Sequence, residues 1–212
     1  MVYRCCASRV TGDPIQAWND HNKDLNDRCE YLNNLHIREL RYKSSNGTDF
    51  TVGMIPEAQF CGGGETSLQG IFFNPNIPTE ECFISPMRGV AEGIVYATKP
   101  LSYQGQLISG FWIRFHGECA LVPFDSPINQ TGLLFYNTLF DENACCHLAL
   151  GMGFADTLRD FQNKTLDECR KLGVNDSMIH EDFMIGSADL AIDAVCEDGK
   201  TVAIFRDGTW AF

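Results

Sequence analysis

The side chains best suited to chemistry in this sequence are a scattered set of carboxylates and imidazoles. In MIHEDFMIG, His180 and Asp182 are two positions apart. In an extended segment such residues point to one side, so an imidazole and a carboxylate could share one metal ion while Glu181 points away. FDENACCHLAL sets Asp141, Glu142 and His147 beside an apolar run. If Asp141 caps a helix, Glu142 is its first residue and His147 lies about 140° around the axis. A shared ion would then sit near the helix N-terminus, with Glu142 bending around the end. In FNPNIPTEECF, Pro75 and Pro78 stiffen the approach to Glu80 and Glu81, one of which could be a ligand. In HGECALVP, Glu118 opens an apolar strand, where a strand end meets a cleft; the competing reading is a charged strand edge. His116 is a further but lesser ligand candidate, since nothing nearby orients it, and the same holds for His21 and His36 on or just after the first helix. Each candidate alone has a bland reading: a lone histidine packs into a core, and a Glu-Glu pair makes a solvated turn.

The elements that must hold these residues follow from periodicity. From Asp13-Pro14 to Leu35, the apolar residues Ile15, Trp18, Leu25, Cys29 and Leu32 recur at helical spacing behind a cap-and-proline start. Leu40 to Tyr42 and Phe50 to Ile55 flank Ser45-Asn46-Gly47 as a hairpin. Further strands are expected over Gly70–Phe73, Val90–Ala97, Leu107–Phe115 and Cys119–Val122. A carboxy-terminal hairpin of Leu190–Val195 and Val202–Phe205 turns at Asp198-Gly199. Helix is expected again over Asn143–Leu150 and Leu166–Lys171. Gly62-Gly63-Gly64 lacks the Lys-Ser/Thr of a phosphate loop and reads as a flexible loop. No repeat or interdomain linker interrupts the chain. The expectation is an α+β fold: a mixed, mainly antiparallel sheet with flanking helices in one domain over 13–212, behind a short tail at 1–12.

Composition narrows the partners. With 28 acidic against 16 basic side chains, the net charge of −12 opposes binding to nucleic acid or to an anionic membrane surface. The amino terminus lacks a signal-peptide run, and no segment approaches the roughly 20 apolar residues of a membrane-spanning helix. The expected setting is the cytoplasm. The ten cysteines include the vicinal pairs Cys5-Cys6 and Cys145-Cys146 but no Cys-x-x-Cys, which suits buried thiols better than disulfides or a zinc finger.

NPNIPTEECF, TKPLSYQGQLISG, GECALVP, SPINQTGLLFYNTLFDENACCHLALG and MIHEDFMIGSADLAID with the closing GTW resemble, in order from about Pro14 to Phe212, the carboxy-terminal part of the thermophilic-type leucyl aminopeptidases, peptidase family M29. The resemblance implies a cytosolic metalloprotease that uses two divalent ions (zinc, cobalt or magnesium). Such an enzyme releases amino-terminal residues from peptides with broad specificity, usually as a homodimer. It places the metal ligands at Glu81 (with Glu80 as the alternative), Glu118, Glu142, His147, His180 and Asp182. One carboxylate would also accept a proton.

The chain departs from that pattern at three points. The family has a domain ahead of the matched region, for which Met1–Thr11 is too short. It also has a further segment between IRF at 113–115 and HGE at 116–118. Its catalytic tyrosine aligns with Phe154, which lacks the hydroxyl; on a helix, 147 and 154 would share a face. These departures leave an alternative open: a truncated, inactive homologue that acts as a metal-binding or interaction protein.

Overall fold

A computed structural model describes residues 13–75, 79–103, 105–117, 119–121, 137–141, 147–178 and 180–212, with backbone alone at 119–121, 137–141, 147 and 150. The first helix, α1 (Pro14–Asn34), starts where the sequence says it should. The Asp13 carboxylate caps it by accepting from the Ile15 N–H at 2.9 Å, and Pro14 opens the first turn. Its buried stripe is His21, Asn22, Leu25, Cys29 and Leu32, so two polar residues lie on the face that helical periodicity reserves for the core.

Strands β1 (Ile37–Lys43) and β2 (Asp49–Met54) form the expected hairpin. Gly47 takes φ +103° at its turn, and the Asn46 side chain accepts from the Thr48 N–H. After them come β3 (Cys61–Gly62), β4 (Glu65–Thr66), β5 (Phe72–Phe73), β6 (Glu81–Ile84), β7 (Pro86–Tyr96), β8 (Leu101–Tyr103), β9 (Gln106–Ile108), β10 (Trp112–His116) and β11 (Cys119–Leu121). The remaining strands are β12 (Asn137–Asp141), β13 (His147–Gly151), β14 (His180–Met184), β15 (Ala191–Cys196), β16 (Thr201–Arg206) and β17 (Thr209–Trp210). Helix α2 (Leu166–Leu172) begins with a Thr165–Glu168 capping box and ends at Gly173 in the left-handed region.

Every strand pairing among the described residues is antiparallel. The fold is α+β, as expected, but the strands divide between two main sheets. One has eight strands in the order β11-β10-β7-β2-β1-β15-β16-β17, and the other has five in the order β14-β13-β12-β6-β3; β4-β5 and β8-β9 are separate hairpins. The two main sheets are joined at the β6–β7 corner, where only Ser85 separates them. In the larger sheet the pleat puts Leu40, Tyr42, Phe50, Val52, Ile113, Ile192 and Phe205 into the core. At Gly93 a Cβ would sit 2.1 Å from the Asp49 carbonyl oxygen, so the β2–β7 ladder closes only over glycine there.

Three sequence expectations change. Leu107–Phe115 is two strands, because Gly110 turns the chain at φ +64° between β9 and β10. Gly62 lies in β3, paired with Cys82, rather than in a flexible loop. The helix expected over Asn143–Leu150 is strand from His147 onward: its backbone pairs with β12 and β14, Leu148 and Ala149 are buried, and that context overrides helix propensity. Residues 143–146 lie outside the described set. Among the described residues, no helix is long and apolar enough to cross a membrane.

Candidate metal centre

The five-stranded sheet has two unlike faces. Cys82, Ile84, Leu148 and Phe183 are buried on one, and α1 packs there, close enough for the Cys82 thiol to reach the Leu25 carbonyl. The other face follows from register. His180 pairs with Gly151, Asp182 with Ala149, position 147 with Leu139, Leu139 with Phe83, and Asp141 with Glu81. Directly opposed residues share a face, and alternate residues along a strand return to it. Glu81, position 147, His180 and Asp182 therefore all belong to the face away from α1.

On that face His180 and Asp182 meet. His180 Nδ1 donates to the Met152 carbonyl at 2.9 Å, and Nε2 lies 3.4 Å from Asp182 Oδ1. The carbonyl can only accept, so it fixes the proton on Nδ1. In the neutral ring, the Nε2 lone pair then faces a carboxylate, an arrangement of two acceptors that calls for a cation or a proton between them. Burial of His180 works against protonation. The Asp182 hydrogen bond, the Met152 carbonyl and the charges of Asp182 and Glu181 outweigh it, so the imidazole titrates above its ordinary value. The donor set thus fits a divalent ion at Nε2 and Oδ1, with the second nitrogen anchored to the backbone as metal-binding histidines usually are.

Phe154 walls this pair. Its ring stacks on His180 with centroids 4.6 Å apart, and it meets Phe83 edge-on at 5.6 Å, so three rings bridge the face from β6 to β14. The backbone of Phe154 is held at the sheet corner. Ser85 Oγ accepts from its N–H at 2.7 Å and donates to its carbonyl at 3.0 Å. Ser85 is fully buried, and nothing in the sequence around it signals that role. Phe154 follows β13 rather than lying on a helix, so it does not share a helical face with position 147; it reaches the site because its backbone is bonded to Ser85 and its ring meets both Phe83 and His180.

The remaining candidates divide. Glu81 opens β6 on the site face, at the end of the ladder opposite His180. Glu80 points the other way, toward α1, where its Oε2 lies 3.6 Å from His21 Nε2. His116 is oriented after all, with Nδ1 3.0 Å from Glu92 Oε2, but on the larger sheet and in solvent. Glu118 and Glu142 lie outside the described residues, as does the side chain of His147. Near Glu118, His116 pairs directly with Cys119, where the family was expected to insert a segment. Among the described residues no three His, Cys, Asp or Glu side chains gather as a metal cluster. Among the described residues, Cys29, Cys61, Cys82, Cys169 and Cys196 are reduced thiols and form no disulfide.

Comparison with known proteins agrees with the sheet. Aminopeptidase 2 of Geobacillus stearothermophilus is 44% identical over 229 positions, covering 94% of this chain and 55% of that protein. Aminopeptidase AmpS of Bacillus subtilis (strain 168) is 40% identical over 236 positions, covering 97% and 57%. Both matches run over more positions than the 212 residues of the chain, so they contain gaps. The solved structure of wild-type AmpT from Thermus thermophilus superposes with a TM-score of 0.80 at 29% identity, over 94% of this chain and 56% of that one. The chain spans about half the length of the relatives it matches. The model of the thermophilic metalloprotease (M29) family matches residues 2–117 and 116–210, two pieces that meet at His116–Gly117. With nearly its whole length accounted for in this way, the chain belongs to the M29 family of metallopeptidases.

Proposed function

We propose that this chain is the metal-binding part of an aminopeptidase that uses two divalent ions, zinc, cobalt or magnesium, to release amino-terminal residues from peptides with broad specificity. The observation that carries the reading is the His180–Asp182 pair, with Nδ1 tied to Met152 and Nε2 turned to a carboxylate on the face that also holds Glu81 and position 147. Names of relatives supply the activity: Aminopeptidase 2, AmpS and AmpT. In this reading Glu81, Glu118, Glu142, His147, His180 and Asp182 hold the ions. Bound there, the ions would polarise the first peptide carbonyl and lower the pKa of the attacking water.

The protein's own groups do the rest. Met152 sets the tautomer of His180. Phe154 covers one face of the imidazole and keeps water from it, which strengthens electrostatic effects at Nε2. A carboxylate on the site face accepts the proton released by the water. Peptides are the substrates, a homodimer in the cytoplasm is the working form, and the acidic surface disfavours nucleic acid and membrane partners.

The test is elemental analysis of folded protein supplied with zinc or cobalt and dialysed. More than one equivalent per chain is expected, with loss on His180→Ala or His147→Ala; less than about a tenth of an equivalent removes the reading. A second reading, an inactive homologue that binds metal or a partner, is favoured by Phe154, which brings no hydroxyl to the site.

A further inference from the structure

The buried polar residues of α1 are unused by the reading above. His21 is only 9% exposed and Asn22 only 4%. Both are spent on one stretch of chain, the segment that leads into Glu81. Asn22 and Asn74 exchange side-chain amide hydrogen bonds at 3.1 and 2.8 Å. His21 Nε2 lies 2.7 Å from the Thr79 carbonyl oxygen, which can only accept, so the ring carries its proton on Nε2 and donates it there. The same nitrogen is 3.6 Å from Glu80 Oε2. Trp18 meets the imidazole edge-on at 5.8 Å and limits its rotation. The segment is thus gripped at Asn74 and again at Thr79–Glu80, immediately before the strand.

That grip sets the phase of the strand. With Thr79 and Glu80 drawn to α1, the pleat turns Cys82 to the helix as well, where its thiol reaches the Leu25 carbonyl. It turns Glu81 and Phe83 to the opposite face. A slip by one residue would exchange Glu81 for Glu80 on the site face. Two adjacent glutamates make that exchange chemically silent in the sequence, so something outside the strand has to choose between them.

We propose that His21 is a positioning residue for Glu81: by donating to the Thr79 carbonyl and facing Glu80, it fixes which of the two glutamates the metal site receives. This rests on the metal-site reading given above. His21 does not touch the site and acts only through the backbone of Thr79–Glu81.

Zinc titration of the whole chain by calorimetry tests this without any assay of turnover. His21→Ala weakens zinc binding about tenfold or more, the usual scale for a group behind a ligand. His21→Gln, whose amide N–H can take the place of Nε2–H, stays within about threefold of the wild type. In a Glu81→Ala background, His21→Ala has no further effect, because two residues acting through one ligand are not additive. Leu32→Ala, a core change in the same helix, serves as the control for simple loss of stability. It lowers the melting temperature and leaves zinc affinity unchanged. The proposal is overturned if folded His21→Ala binds zinc like the wild type, if its loss is as large in the Glu81→Ala background, or if Leu32→Ala weakens zinc equally. A wild type that binds no zinc defeats the metal-site reading itself. One that binds zinc and ignores Glu81→Ala defeats only the role given to Glu81 and His21.

Discussion

The ring of Phe154 lies against the imidazole of His180, centroids 4.6 Å apart and planes 29° from parallel. An aromatic face so placed shields one side of His180 from water and offers the site no hydrogen-bond donor. The pair therefore separates two states of the same architecture, one that can hold a metal and one that can also stabilise a developing oxyanion.

Adding the missing hydroxyl should reveal which state the chain is in. The wild type is expected to hydrolyse an amino-acid anilide weakly and only with metal, and Phe154→Tyr should raise kcat at least about tenfold, since one oxyanion donor is worth about 10²–10³. Metal content should not change. If neither protein turns over substrate while both are folded and loaded, the inactive homologue becomes the better reading.

Removing the hydroxyl of Ser85 should loosen the same wall from behind. Ser85→Ala takes the acceptor from the half-buried Phe154 N–H and is expected to cost about 1–3 kcal/mol in denaturant unfolding. A loss below about 0.5 kcal/mol would show that the corner does not depend on this hydroxyl.

The thiols should be slow to react. Burial first, then the nearby Cys29, Asp156 and Glu65, push the Cys61 thiol up to about 12, so its thiolate is scarce at neutral pH. Alkylation of native protein should therefore label few sites quickly, and all ten cysteines only after unfolding. Peptide mapping that finds Cys61 modified as fast as a free cysteine would contradict this.

Acid should erase the effect of one exposed carboxylate. Asp189 accepts from the Ser44, Ser187 and Ser45 groups and ties the β1–β2 turn to the start of β15. The side-chain hydrogen bonds of Ser45 and Ser187, the Ser45 backbone N–H and the Ser44 hydroxyl hold its carboxyl well below the usual range. A depressed folded-state pKa gives stability that is present above the ordinary carboxylate pKa, near 3.9, and is lost as pH falls toward the folded value. Asp189→Asn should thus melt lower than the wild type at pH 7, with the difference shrinking steadily below about pH 4. A constant difference from pH 7 to pH 3 would show that the charge is not involved.

Much of this protein is written locally. The Asp13-Pro14 start of α1, the Asn46-Gly47 hairpin, the Asp198-Gly199 turn and helix α2 depend on residues within a few positions of one another, where capping and turn chemistry act. The same holds for His180 and Asp182, which meet because an extended strand returns every second side chain to one side. Other features had no local signal. The run at 147–150 has an apolar pattern that suits a helix or a buried strand, and its neighbours β12 and β14, distant in sequence, decide for strand.

Three relationships were left to the tertiary structure. Glu80 faces α1 and Glu81 the opposite side of the sheet, which the sequence could not show because the strand carries two identical side chains in opposite phases. Ser85 matters because it falls at the corner between two sheets, beside a loop from the other side of the sequence. Phe154 reaches His180 from a backbone held at Ser85, a contact that no spacing between 154 and 180 implies. The donor types, and for His180 and Asp182 the extended spacing that brings them together, were legible in the sequence, because these follow from covalent neighbours and the period of the pleat. The facing of those donors was decided by packing between elements far apart in the chain, because a side chain's partner across a sheet or under a helix is set by register and burial.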